Sequence, residues 1–581
     1  MTRRAFVAGL LAALVVGTVL RTLWLRADPP TSGVGIVWHD EGAWVHNARN
    51  GALWDVWRTD EWNPVFIAPV FTALEYAAFE AFGVGTWQAR VVPVLSGLGA
   101  MAMLIAGLHA LAGRRAALIG AVLIATNYVF VMWNRAALLE STMIAFIVAS
   151  WGLYAMSERR PVLGAFAGAA AVLAWFSKAA AAFFIAALLL DVVWTLWQTR
   201  ATRSADWSPN LRGADLEPSP PYARRAALWT LAGMALTAAL IALAFVLPNW
   251  TEYQFYNWQM TVARKPSYAL ADIITRASWL PVVHGIFSRT LLVVAGGSIA
   301  IMSIVLGWRT AKPAERLLVL WVLVGFLELV AHDSGSERRY VMFIPAFVAL
   351  AAMLAGSGQT LLPSAVPSRD IRWAAWPVFL LLSFVVAGSW VRLFYLDEIA
   401  AGNFKATVRY SAAIAVVWAV SAMFRWQKIH QMASRQRLAP ALVGVLLSIA
   451  VGFNLIEYGQ WAARAGEYNY RASVDVGGLV ASGTLVQGKL ANGLSLDNRI
   501  RPIFIGNGFG NYADRLQRDD VRYILTYTLP RVGYESGHEG RLITELLARY
   551  PKRHDVASFE VDETPALDRA TLIDKFPSAR D

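Results

Sequence analysis

The chain has 581 residues, is 57% hydrophobic and only 16% charged, and carries a formal charge of +12 with no cysteine. Lack of cysteine excludes disulfides, thiolate metal sites and thiol nucleophiles. Repeated apolar runs of about 18 residues or more exclude a single soluble domain and identify a polytopic α-helical membrane protein. Most of the surplus Lys and Arg falls in loops expected on the cytoplasmic side, so the positive charge calls for no nucleic acid.

Met1-Thr2-Arg3-Arg4 precedes an apolar run from Ala5 to Leu25. The run is too long for a cleaved leader and many others follow it, so it reads as a first span with a cytoplasmic N-terminus. An outer loop over 26–90 then opens on Trp38-His39-Asp40-Glu41 and continues through His46, Arg49 and Asn50. Two adjacent carboxylates, two histidines and an arginine within a dozen residues are dense for such an apolar chain. The aromatic-rich parts of this loop, Ala52 to Trp62 and Pro69 to Phe82, suit helices lying in the membrane interface.

Further spans are predicted over 91–111, 116–133, 138–156, 161–176, 179–197 and 226–247. Short basic turns at Gly113-Arg114-Arg115 and Ser157-Glu158-Arg159-Arg160 lie inside; Asn134-Arg135 and Ser177-Lys178 fall outside. The polar, Pro-rich stretch from Gln198 to Arg225 reads as a cytoplasmic linker. A second outer loop over 248–285 contains Arg264-Lys265, and spans follow over 286–307, 317–331, 341–355, 374–396, 411–424 and 440–457. About thirteen spans result, an odd number, which puts the C-terminus outside. From Tyr458 the composition becomes that of a soluble module. Strands are expected at 484–486, 503–505, 521–527 and 556–561, and helices at 512–518 and 540–550, which suggests α/β. The expected organisation is thus a transmembrane part over 1–457 and an extracytoplasmic α/β domain over 458–581.

The outward-facing ionisable residues form the candidate site. Asp40, Glu41, Glu61 and Glu140 are the acids; Arg49, Arg58, Arg90, Arg135, Lys178, Arg264, Lys265, Arg338 and Arg339 are the bases. Topology rules place few cations in short outer loops, so this set calls for an anionic partner, and a lipid phosphate is the anion at hand. Simpler accounts exist for single members. Glu140 in a first helical turn complements the helix dipole, and Lys178 and Arg338-Arg339-Tyr340 suit interfacial anchoring.

Asp40-Glu41 after the first span resembles the acidic pair of membrane GT-C glycosyltransferases, in particular the family of protein O-mannosyltransferases and aminoarabinose lipid A transferases. Asn134-Arg135-x-x-Leu138-Leu139-Glu140 is similar to that family's second motif, although its acid is more often Asp. Trp175-Phe176-Ser177-Lys178 resembles an (L/F)-(S/T)-K motif, and Glu337-Arg338-Arg339-Tyr340 with Pro345 a late (K/R)-R-Y-x-x-x-x-P motif. The likeness covers the membrane part. It implies a GT-C-like fold in a bacterial inner (cytoplasmic) membrane, a polyprenyl-phosphate-linked sugar as donor, and transfer at the outer face to a lipid, glycan or protein acceptor.

Under this resemblance Asp40 is the general base, with Glu41 and Glu140 beside it. His39, Arg58, Arg135, Lys178, Arg264, Lys265, Arg338, Arg339 and Tyr340 are the substrate-binding candidates. Single displacement would invert the anomeric centre. Asp40, Glu41, His39 and Glu140 could ligate a divalent metal, but no spacing demands one; no cofactor is certain and a divalent metal stays an open option. The rival is a transporter or lipid flippase of the cell envelope. It predicts paired sequence halves with broken helices, which the sequence lacks.

Overall fold

The computed structural model describes residues 2–577 except 32–33, 59, 206–222, 263–266, 280–286, 288, 333–336, 357, 359, 364–368, 395–403, 506–517, 532–533, 535–536 and 562–567. The chain is a multi-pass membrane protein. Among the described residues nine helices are long and apolar enough to cross a membrane. Leu163–Ser177 and Leu291–Leu306 are apolar but shorter, and Pro313–His332 carries three ionisable residues besides its terminal histidine, Glu315, Arg316 and Glu328. Every expected span contains a helix, but the count of thirteen crossings is not confirmed by length and apolarity. Leu11, Val15 and Leu236 are among many large apolar side chains left exposed, as surfaces bathed by lipid should be.

The first helix, α1 (Arg3–Thr22), begins where Thr2 accepts the Ala5 N–H. Two short helices follow, α2 (Asp40–Trp44) and α3 (His46–Trp54), then α4 (Pro69–Phe82) and α5 (Thr86–Ala89). The helix expected over Ala52 to Trp62 does not form: Asp55 turns the chain with φ 53°, and Trp62 is buried with its indole donating to Ala43 O at 2.6 Å. Helix α6 (Val91–Thr126) is broken at Gly113, whose φ of 84° is open to glycine and strained for other residues. This is the basic turn expected between two spans. Asn127 caps α7 (Tyr128–Trp133) by accepting the Phe130 N–H at 2.9 Å. Next come α8 (Leu139–Ser157), α9 (Leu163–Ser177), α10 (Ala182–Ala205) and α11 (Ala223–Ile241), with α8 packed against α6 and α9.

The C-terminal part carries a five-stranded sheet: β1 (Leu485–Gln487), β2 (Arg501–Ile503), β3 (Tyr523–Tyr527), β4 (His554–Val561) and β5 (Asp568–Asp574), in the order β2-β1-β3-β5-β4. β1 is parallel to β2 and β3, whereas β5 is antiparallel to β3 and β4. The last strand, β5, was not expected. The helix expected over 540–550 is His538–Ala548; of the one expected over 512–518 all but Arg518 lies outside the described residues.

This module is docked on the loop over 26–90. Buried Arg49 donates to the carbonyls of Ser495, Asn498 and Ile500 at 2.9–3.0 Å. Asp28 accepts the N–H groups of Tyr468 and Asn469, and Asp60 that of Phe504. A Cβ at Gly42 would stand 1.9 Å from Asn492 O, so only glycine lets the helix Lys489–Gly493 close on α2.

Candidate active site

Asp40 and Glu41 are neighbours in α2 with opposite surroundings. Glu41 is buried, and both its oxygens are occupied. Arg90 donates Nε to Oε1 at 2.8 Å and Nη2 to Oε2 at 2.7 Å, and the Ala137 N–H reaches Oε1 at 2.7 Å. Arg90 also donates to the carbonyls of Leu25 and Ala27. Glu41, expected beside Asp40 in the chemistry, ties α2, in the loop over 26–90, to Arg90 and to the turn before α8.

Asp40 is only half-buried. Its Oδ2 accepts Arg338 Nη1 at 2.9 Å, while His39 Nε2 faces Oδ1 at 3.8 Å. His39 is nearly enclosed and shares a hydrogen bond of 3.2 Å with the Tyr527 hydroxyl through Nδ1. Burial, reinforced by the nearby Lys489 cation, pushes His39 down to about 3, so the imidazole is neutral at pH 7. Burial opposes ionisation of Asp40. His39, Arg338 and Lys489 and the Arg338 hydrogen bond outweigh it and hold the carboxyl below its usual range. With His39 uncharged at neutral pH, Arg338 and Lys489 are the cations that matter there.

Lys178, set in the extended link after α9, pairs with Glu140 in the first turn of α8. The charge of Arg338 acts on Asp40, Glu140 and Lys178 alike, and that of Arg339 on Lys178. The fold therefore collects Asp40, His39, Glu140, Lys178, Arg338 and Arg339 from four separate stretches of sequence. Both cations nearest the acids are held by carboxylates; the Asp40–Arg338 pair is half-open and can trade its carboxylate for another anion, whereas Glu140 beside Lys178 is buried.

Other expected members stand elsewhere. Arg135 is buried, donating to the carbonyls of Leu20 and Trp24 and lying over the Trp461 ring at 4.7 Å; it ties α1 to the turn before α8 rather than facing the acids. Arg58 pairs with Glu252 at 2.8 Å on the exposed surface. Tyr340 is buried in an aromatic cluster with Phe287 and Phe343. Arg264 and Lys265 lie outside the described residues. Among the described residues no group of three or more His, Asp or Glu is gathered to hold a metal ion.

Three residues near the site were not singled out from sequence. Lys489 and Tyr527 come from the C-terminal module, which sequence separates from Asp40 by more than 400 positions; no local signal links them. Glu75 in α4 is fully buried with both oxygens lacking a hydrogen-bond partner. Burial, then the Glu41 charge, pushes its carboxyl well above the usual range.

Residues 67–261, about a third of the chain, match the family model described as dolichyl-phosphate-mannose-protein mannosyltransferase. That segment includes Arg135, Glu140 and Lys178, and neither Asp40-Glu41 nor Arg338. No curated protein sequence matches the chain. The crystal structure of ArnT from Cupriavidus metallidurans in the apo state is similar over 98% of this chain and 97% of its own, at 14% identity and a TM-score of 0.55. The same protein bound to undecaprenyl phosphate is similar over 100% and 99%, at 16% identity and a TM-score of 0.55. The shared architecture is the GT-C fold, as the motifs implied.

Proposed function

We propose that this chain is an integral membrane glycosyltransferase that moves a sugar from a polyprenyl-phosphate donor to a hydroxyl or phosphate acceptor at the outer face of a bacterial cytoplasmic membrane. The match to a mannosyltransferase family model and the fold shared with an ArnT structure holding undecaprenyl phosphate support the class. The observation that carries the reading is a half-open carboxylate, Asp40, held on one oxygen by Arg338, beside a second cation–carboxylate pair, Lys178–Glu140.

In this reading the donor phosphate enters between Arg338 and Lys178, displaces Asp40 from Arg338, and adds to Lys178 while the buried Glu140 stays paired with it. Charge-assisted hydrogen bonds then hold the phosphate as it departs. Losing Arg338 frees Asp40 to accept a proton, so donor binding itself releases the base. The acceptor oxygen attacks the anomeric carbon, the bond from that carbon to the phosphate oxygen breaks, and its electron pair leaves with the phosphate. The acceptor proton passes to Asp40. A single displacement inverts the anomeric centre. Glu140 remains the partner of Lys178, and Arg339 adds positive charge. A phosphate is already a fair leaving group, so neither general acid nor metal is required. The N-terminus lies in the cytoplasm, and the module over 458–581 lies outside and covers the acid cluster.

The test uses Asp40→Asn in membranes supplied with a polyprenyl-phosphate sugar. Sugar transfer should fall by about 10²–10⁴-fold while the protein is recovered and melts as the parent does. Undiminished transfer by Asp40→Asn removes the base from this mechanism.

A further inference from the structure

A cavity of about 1110 Å³ lies between the helices Leu291–Leu306, Arg369–Phe394 and Phe404–Phe424 and the short helix Trp426–Ala433. It is remote from the acid cluster. Arg289, just ahead of Leu291–Leu306, pairs with Glu457 and lies over the Tyr128 ring at the end of the bundle where α7 leads into Arg135. Leu306, at the other end of that helix, lines the cavity. Sixteen residues at a helical rise of about 1.5 Å separate the two ends by roughly 24 Å. The cavity runs along this helix from Ala295 to Leu306, and its Leu306 end is the one that carries the basic turns: there Lys312 donates to Leu111 O, next to Gly113-Arg114-Arg115.

Its walls are apolar, with Met302, Trp376, Phe379, Leu382 and Val386 among them. Among the described residues the charged ones that line it are Arg369, Arg372, Arg425 and Lys428, without a carboxylate. Arg372 buries its Nε, and Ser298 in the wall its Oγ, with no hydrogen-bond partner. A buried donor without an acceptor is costly and calls for one.

We propose that this cavity is a binding site for an anionic phospholipid of the leaflet at the basic end of the bundle. The phosphate lies among Arg369, Arg372, Arg425 and Lys428, and an acyl chain fills the apolar crevice. Three features select this occupant. A bare phosphate would leave the apolar walls uncovered. A zwitterionic lipid would leave the cluster of cations largely uncompensated, whereas basic pockets between membrane helices on the cytoplasmic side suit anionic head groups. The volume lies slightly above the roughly 300–1,000 Å³ of pockets for drug-sized ligands, which suits a chain-bearing molecule. This inference goes beyond the transferase reading and is independent of it, because Asp40 takes no part.

Native mass spectrometry of the full-length chain in mild detergent, with phosphatidylglycerol or phosphatidylcholine added at equal concentration, tests it. The parent should retain phosphatidylglycerol at least about tenfold better, a difference of about 1.4 kcal/mol. Arg372→Gln with Arg425→Glu should abolish the preference. Ile299→Trp, which fills the crevice and leaves every cation in place, should lower retention while the protein stays monodisperse. Arg114→Glu with Arg115→Glu, exposed cations of the same end, should change nothing. Equal retention of the two lipids, unchanged retention in both site variants, loss on the Arg114/Arg115 change, or displacement by inorganic phosphate or undecaprenyl phosphate in preference to phosphatidylglycerol would each overturn the proposal.

Discussion

Two ion pairs built from adjacent residues, Glu41–Arg90 and Asp40–Arg338, differ in what surrounds them. The first is buried, bidentate and completed by a backbone N–H and two carbonyls. The second is monodentate, with side chains 22% and 29% exposed. A buried pair with every polar atom satisfied cannot exchange partners without leaving a desolvated charge. A half-open pair can trade its carboxylate for a ligand anion at little cost. Sequence proximity thus separates into a sealed tie and a half-open pair, and the neighbours decide which is which.

The largest effect expected from breaking this contrast is on stability at the buried pair. Arg90→Met leaves Glu41 uncompensated and should cost about 3–5 kcal/mol, seen as a lower melting temperature and poor recovery in detergent. Asp40→Asn should leave the melting temperature nearly unchanged.

Next comes Lys178→Gln combined with Glu140→Gln, which removes both members of the neighbouring pair so that no buried charge is orphaned. If Lys178 meets the donor phosphate, loss of one charge-assisted hydrogen bond, about 1.5–3 kcal/mol, should raise the donor KM by roughly 10- to 100-fold with a smaller change in kcat. Steady-state transfer assays separate the two.

Arg338→Gln sharpens the comparison through pH. Arg338 helps to hold the Asp40 carboxyl of the free enzyme below its usual range, so the base stays ionised there, and kcat/KM should persist, to unusually low pH. Without that cation the acid limb of the pH–rate profile should move up toward the ordinary carboxylate value of about 3.9. Lys489→Ala should move it the same way by less, because Lys489 contributes charge without the hydrogen bond.

The smallest effect belongs to Glu75. Its folded carboxyl titrates well above the usual range, so the folded chain keeps a proton that the unfolded chain releases above about pH 4.3. The associated stabilisation is complete below that pH and is lost as pH rises toward the folded value. Glu75→Gln should therefore melt at or above the parent at about pH 8, with the advantage shrinking toward pH 5. A variant that melts lower at pH 8 would show an ionised, partnered Glu75.

Helix-length apolar runs and basic turns carried most of the membrane architecture in the sequence, because a spanning helix must satisfy its backbone locally and be apolar along its length. Gly113 and its two arginines marked a turn for the same local reason. The acid cluster was legible as a set of residues. Asp40, Lys178, Glu140 and Arg338 stood out as ionisable groups in an apolar chain, and the structure brings them together. Arg135 and Glu41 looked equivalent to them by composition, yet their partners are backbone groups and a buried arginine that only packing supplies. The interfacial helix read over Ala52 to Trp62 failed because the chain turns at Asp55 and its aromatic residues pack inward, Trp57 on Tyr76 of α4 and Trp62 on the C-terminal module. Trp62 stacks on Phe504 at 4.9 Å.

By itself the sequence determined that the chain spans a membrane many times, that a sheet-forming module follows Tyr458, and that acids and bases gather in a few loops between the apolar runs. These follow from composition and short-range periodicity, which act within a few residues. Tertiary structure alone decided which carboxylate is sealed and which is open, that Lys489 and Tyr527 reach the neighbourhood of Asp40, and that four cations surround an apolar cavity at the far end. Those outcomes depend on desolvation and on contacts between segments hundreds of residues apart, and neither quantity is encoded in any local stretch.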